Sequence, residues 1–194
     1  VGAIFSGIAA LLTAMVIIRK VFHLEGYFRD VHFDYLGKLL LVMACMWFYF
    51  TFTEFLTAFY GHEPSEMEIF REKLFGRFGA AFWGMCLFCF VIPFGLMCRR
   101  ATRSVAGTLV ASISVNIGMW LERFIIVVPS LAYPRLAYER GFYLPTWVEW
   151  SIFAGCWAAF VLLYVLFMKL FPIVSIWEVR EGRAVGAHEV GERV

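Results

Sequence analysis

The chain has 194 residues, of which 62% are hydrophobic and only 16% charged, with a mean hydropathy of +0.77. A soluble domain of this size carries about a quarter charged residues, so a water-soluble globule is excluded. The net charge of +2, with no basic stretch interleaved with aromatics, leaves no case for a nucleic-acid partner.

The charges fall in short blocks separated by apolar runs of about 20 residues, each able to cross a ~30 Å hydrocarbon core at 1.5 Å per residue. In chain order these runs predict five membrane-spanning helices, over residues 2–18, 36–60, 79–97, 105–128 and 147–171. The fold class expected is an all-α polytopic bundle of four helices plus a closing one, with a polar tail over 172–194. Pro93 should kink the third span, Pro129 and Pro134 should close the fourth, and Pro145 precedes the fifth. The chain opens on Val1 inside an apolar run, with no basic leader or small-residue cleavage site. It therefore reads as a fragment or as the second half of a longer protein, not as a signal peptide.

Lys and Arg counts orient the bundle. One side, side A, holds Arg19, Lys20, Arg29, Lys38, Arg99, Arg100, Arg103, Lys169, Arg180, Arg183 and Arg193; side B holds Arg71, Lys73, Arg77, Arg135 and Arg140. Eleven against five makes side A cytoplasmic, with the carboxyl terminus on it.

An ionisable residue inside a span costs about 2.5–3.5 kcal/mol on insertion scales and needs a reason. Glu54 in the second span, and Glu122 and Arg123 in the fourth, are such residues. Glu54 lies six residues before Tyr60 and Arg123 six before Pro129, so both sit ~9 Å from their side B ends on helices running the same way. Ser112, Asn116, Trp120 and Arg123 share a face at steps of four and three, as do Thr51 and Glu54. The expectation is a polar seam, with Thr51 and Glu54 on one wall and Asn116 and Arg123 on the other. Glu122, turned about 100° from Arg123, is left to another helix, a headgroup or the aqueous boundary. Three readings of the seam stand open: an ion pair locking two helices, a proton path or quinone-adjacent site, or two groups snorkelling to the side B interface.

His23, His32, His62 and His188 all fall in expected loops or the tail, so no axial ligand for a haem between helices is on offer. His23 and His32, near Asp30 and Asp34, mark either a proton entry on side A or ordinary solvated loop residues. Cys86 and Cys89 have C-x-x-C spacing inside an apolar helix, where they read as small packing residues rather than a metal or redox pair.

Four motifs carry a resemblance: Phe33-Asp34-Tyr35-Leu36-Gly37-Lys38-Leu39, Phe52-Thr53-Glu54-Phe55, Pro145-Thr146-Trp147-Val148-Glu149, and above all Val115-Asn116-Ile117-Gly118-Met119-Trp120-Leu121-Glu122-Arg123-Phe124. In these the chain resembles the NrfD/PsrC family, membrane subunits of polysulfide-reductase-type complexes, and within it the ActC-type subunits of alternative complex III, a bacterial quinol-oxidising complex. The resemblance implies a place in the bacterial inner membrane and a second, homologous membrane bundle that houses the quinol site. The partners it implies are an iron–sulfur protein docked on the periplasmic side and cytochrome subunits, which carry the clusters and haem. It assigns no quinone ligand to this chain, which by itself is then non-catalytic. It assigns a proposed proton-conducting role to Glu54, Asn116, Glu122 and Arg123. The competing classes are a molybdopterin-type reductase subunit, half of a secondary transporter, and a purely structural anchor. The transporter is disfavoured because no pair of matched helix breaks is present.

Overall fold

In the computed structural model, residues 1–24, 27–100, 102–132 and 145–171 are described. They form α1 (Gly2–Val21), α2 (Asp30–Gly61), α3 (Pro64–Leu74), α4 (Gly79–Cys86), a π-helical turn (Leu87–Val91), α5 (Ile92–Cys98), α6 (Val105–Ala132) and α7 (Trp147–Leu170). α4, the π turn and α5 run on as one span, Gly79–Cys98, and with α1, α2, α6 and α7 make five helices long and apolar enough to cross a membrane. The protein is an all-α, multi-pass membrane protein.

Two units divide the chain at Tyr143 and Leu144. In the first, α6 packs against α1, α4 and α5, while α2 packs against α1 and α5. The helical stripes that meet are regular: Phe5, Ala9, Leu12 and Val16 on α1; Phe33, Gly37, Leu40, Ala44 and Trp47 on α2; Ala111, Val115, Gly118 and Ile125 on α6. Lipid tails are as apolar as these side chains, so close packing and buried hydrogen bonds hold the bundle, not the hydrophobic effect. Thr13 on α1 shares a 3.0 Å hydrogen bond with Ser112 on α6.

Pro93 acts earlier than a late kink. Lacking an N–H for the carbonyl four residues back, it follows a turn widened to π geometry, the usual relief for such a mismatch. The wider turn leaves carbonyls to be satisfied from outside, and Ser114 on α6 donates to the Phe88 carbonyl at 2.8 Å. Gly118, one turn on, permits the contact: a Cβ there would stand 2.6 Å from Cys89 Sγ and 2.9 Å from the Cys89 amide nitrogen. The helix holding Cys86 and Cys89 thus widens from α to π geometry at Leu87 while continuing as one span. Both thiols are free, with Cys89 buried against α6.

Several boundaries move. α2 starts at Asp30, not 36, so His32 and Asp34 lie in its first turns and His32 is not a loop residue. Pro129 does not close its helix: it is buried inside α6, which continues to Ala132, and Ser130 donates to the Ile126 carbonyl (2.8 Å) in the same turn. α3 was not expected at all. Its Ile69, Phe70, Lys73 and Leu74 are half-buried while Glu66, Glu68 and Arg71 are exposed, and it packs on α2, α4 and α6. Pro134, Arg135, Arg140 and the 172–194 tail with His188 lie outside the described residues.

The second unit contributes α7, none of whose residues is buried. Its start is fixed by a capping box. Thr146 and Glu149 exchange hydrogen bonds across the first turn, and the Thr146 amide donates to Glu149 Oε2 at 2.6 Å. This local device accounts for the Pro145–Glu149 motif.

Candidate functional site

The polar interior of the side B half is built around Glu122. On α6 it follows Val115 and Gly118 along the stripe that faces the bundle, and it is half-buried. Its Oε2 accepts a 2.8 Å hydrogen bond from the indole Nε1 of Trp47, a buried residue of α2. The carboxylate thus found another helix, one of the three destinations left open. Its Oε1 lies 3.6 Å from where a Cβ on Gly2 would be, and an Arg123 nitrogen lies 3.2 Å from the same point, so both groups flank the start of α1.

Arg123 and Trp120 are exposed, with an Arg123 guanidinium nitrogen beside the start of α1. The expected wall of Asn116 and Arg123 is therefore turned by about one residue. Asn116 is half-buried at the edge of the packed face, and Glu122 occupies the inward position assigned to Arg123. The reason is steric. The stripe that must approach the π turn is the one carrying Gly118, and Glu122 lies on it, four residues along.

Glu54 and Arg123 do not form an ion pair: among the described residues, the salt bridges within 4.0 Å are Arg19–Asp30, Lys38–Asp34 and Arg103–Asp34. Thr51 is half-buried and continues the inner stripe of α2, but Glu54, one turn further, is exposed to a groove between α2, α3 and the end of α6. There its electrostatic partner is Lys73 of α3. Burial pushes the Lys73 ammonium below its ordinary pKa, while Glu54 pulls it back up. Phe55 packs its ring against Phe70 of α3 (5.7 Å) and Phe82 of α4 (4.9 Å), which closes the base of the groove.

At side A, Asp34 is the centre of an ionic cluster. It lies 2.7 Å from the Lys38 ammonium and 3.5 Å from Arg103, whose side chain is 13% exposed and whose Nε is buried without a hydrogen-bond partner. Arg19 meets Asp30 at 2.8 Å and covers the Phe33 ring. The structure thus joins Asp34 to cations rather than to His23 and His32, both of which are exposed. Phe33, Asp34, Gly37 and Lys38 all have packing or pairing roles at this end, which accounts for the motif they share.

Trp47 and Lys73 were missed by the sequence reading. Trp47 lies on the same α2 stripe as Gly37, Ala44 and Thr51, so its inward position was readable, although its partner was not. Lys73 had been counted only as a side B loop charge. Comparison with known proteins adds nothing to this geometry: no family model fits the chain, and no curated protein sequence matches it.

Proposed function

We propose that this chain is a membrane-embedded part of a quinol-oxidising respiratory complex of the NrfD/PsrC kind, similar to alternative complex III. In this reading side A is cytoplasmic in a bacterial inner membrane. The chain anchors a periplasmic iron–sulfur subunit at side B, beside cytochrome subunits and a homologous membrane bundle that binds the quinol. Its own contribution is a proton-conducting element in the side B half.

One observation carries the reading: the Glu122 carboxylate stands inside the bundle with the Trp47 indole donating to it. A carboxylate costs stability at this depth and is the side chain that intramembrane proton relays use. Glu54 in the α2–α3 groove is the next acid toward side B, with Thr51 one turn before it on α2. Asn116, at the rim of the packed face, and Arg123, beside the start of α1, serve this path as polar neighbours and not as its wall.

A second reading has an observation of its own. The Trp47–Glu122 hydrogen bond ties α2 directly to α6, and a structural lock requires no more than that. Purifying the tagged chain from its native membrane with its partners separates the classes. Iron–sulfur and multihaem cytochrome subunits support the proposal, whereas a molybdopterin enzyme without cytochromes points to a polysulfide-reductase-like assembly. Solute transport by the isolated subunit would overturn both. In the intact complex, Glu122→Gln should leave assembly in place and lower quinol-linked turnover or proton coupling; a stability loss with unchanged turnover and coupling would establish the lock.

A further inference from the structure

The groove beside Glu54 has an unusual chemical composition for a feature at the end of a bundle. It measures about 780 Å³, within the roughly 300–1,000 Å³ typical of small-molecule sites. Its walls are apolar at Phe55, Ile69 and Phe70, and its charged groups are one cation, Lys73, and two carboxylates, Glu54 and Glu66. Lys73 and Glu54 face the same space without closing to a 4.0 Å contact, so neither cancels the other locally.

The depth of the groove is set by the helices. Lys38 and Arg103 mark the side A boundary through their ionic cluster, and Glu54 lies sixteen residues along α2 from Lys38, ~24 Å at 1.5 Å per residue. The opposite boundary of a ~30 Å hydrocarbon core falls just beyond. α3 carries exposed Glu68 and Arg71 on one face and half-buried Phe70 and Leu74 on the other, as a helix lying at such a boundary requires. The groove therefore opens where phospholipid headgroups begin.

We propose that this groove binds the headgroup of a phospholipid bearing both a phosphate and a primary amine, a phosphatidylethanolamine. The phosphate meets Lys73, the ammonium meets Glu54 and Glu66, and the first acyl carbons lie on Phe55 and Phe70. An anionic headgroup without the amine, such as glycerol, would bring the same phosphate but no cation to meet the two carboxylates. A choline headgroup has no N–H to donate. The inference needs only the membrane location and stands apart from the redox reading.

The test uses the chain purified in its native assembly, exchanged into detergent with vesicle lipids of equal acyl composition bearing ethanolamine, glycerol or choline headgroups. Retained lipid is quantified by mass spectrometry after washing. The ethanolamine lipid should be retained preferentially, and Lys73→Gln and Glu54→Gln should each lower its retention about ten-fold, the effect of one lost charge-assisted hydrogen bond. Lys73→Arg, which keeps the charge, should retain it and serves as the folding control. Soluble phosphoethanolamine should not displace the lipid, because it lacks the acyl contacts; displacement would overturn the assignment of a lipid. Equal retention of the three headgroups by the native chain, or wild-type retention in both Gln variants, would overturn the site.

Discussion

The hydrogen bond from Trp47 to Glu122 admits a direct energetic test. Trp47→Phe keeps an aromatic ring on α2 but removes the indole N–H that donates to Glu122 Oε2 across the helix pair. A hydrogen bond to a charged group contributes about 1.5–3 kcal/mol net, and stranding its buried partner costs a similar amount. Hydrogen bonds between membrane helices average less, about 0.6 kcal/mol and at most ~1.7, because the unfolded helices find other partners in the bilayer. Glu122 is half-buried and Trp47 is 3% exposed, so local alternatives for the pair are few. The expected loss is thus about 1–2 kcal/mol, toward the upper end of the membrane range.

Unfolding of the purified chain in bicelles, followed by steric trapping or denaturant titration, measures this directly. A double-mutant cycle then isolates the pair. Trp47→Phe in a Glu122→Gln background should cost less than in the wild type, because the amide accepts a weaker bond than the carboxylate does. Strict additivity of the two substitutions, or a Trp47→Phe loss indistinguishable from zero, would refute the assignment of Glu122 to the interior. It would also remove the observation on which the proton-relay reading rests.

Other sites give sharper or smaller effects. Gly118→Ala should destabilise the bundle by about 1–3 kcal/mol, because its methyl meets Cys89 backbone as well as sulfur; the midpoint of thermal unfolding reports it. Ser114→Ala, which leaves the Phe88 carbonyl without its side-chain donor, should cost about 0.6 kcal/mol and raise amide exchange in the π turn. Thr146→Ala should cost about 1 kcal/mol of helix stability and fray the start of α7, seen as faster hydrogen exchange at residues 147–149. Lys73 titrates with a depressed folded pKa, so the folded chain binds fewer protons than the unfolded one. Stability should then rise with pH up to the ordinary lysine value of 10.5, and Lys73→Met should flatten that rise.

The spans were legible because a ~30 Å apolar core imposes a length that composition reports residue by residue. The starts of α1, α4, α6 and α7 follow from that alone, and the Thr146–Glu149 spacing even writes the α7 cap into the sequence. The start of α2 lies six residues before its expected place because Asp30 and Asp34 read as loop charges; in the fold Asp30 pairs with Arg19, and Asp34 with Lys38 and Arg103. α3 stayed hidden since eleven residues with five charges leave too little apolar periodicity to mark a helix. The π turn could not be read either: Pro93 announces a disturbance, but where the extra residue is accommodated depends on the Ser114 hydroxyl and the bare Cα of Gly118 on another helix.

That last dependence also explains why the residue of α6 that faces inward is not the one expected. Counting from the helix ends put Glu54 and Arg123 at one depth, whereas Glu122 meets Trp47, seven residues before Glu54 on α2, and Glu54 shares its groove with Ser130, seven residues beyond Arg123. Rotation about the axis is set by the closest contact a helix makes, and here that contact is Gly118 on the π turn. Once Gly118 faces inward, residue 122 must face inward as well, four positions later, and residue 123 is carried past the α2 side toward the start of α1. The run Asn116-Ile117-Gly118-Met119-Trp120-Leu121-Glu122-Arg123 therefore works as one device. Its glycine sets the rotation, and the rotation delivers Glu122 rather than Arg123 to Trp47. If this is correct, a bulky residue at 118 should weaken the Trp47–Glu122 coupling measured in the double-mutant cycle, although it touches neither partner. Persistence of full coupling in a Gly118→Val background that still folds would show that the rotation of α6 is fixed elsewhere.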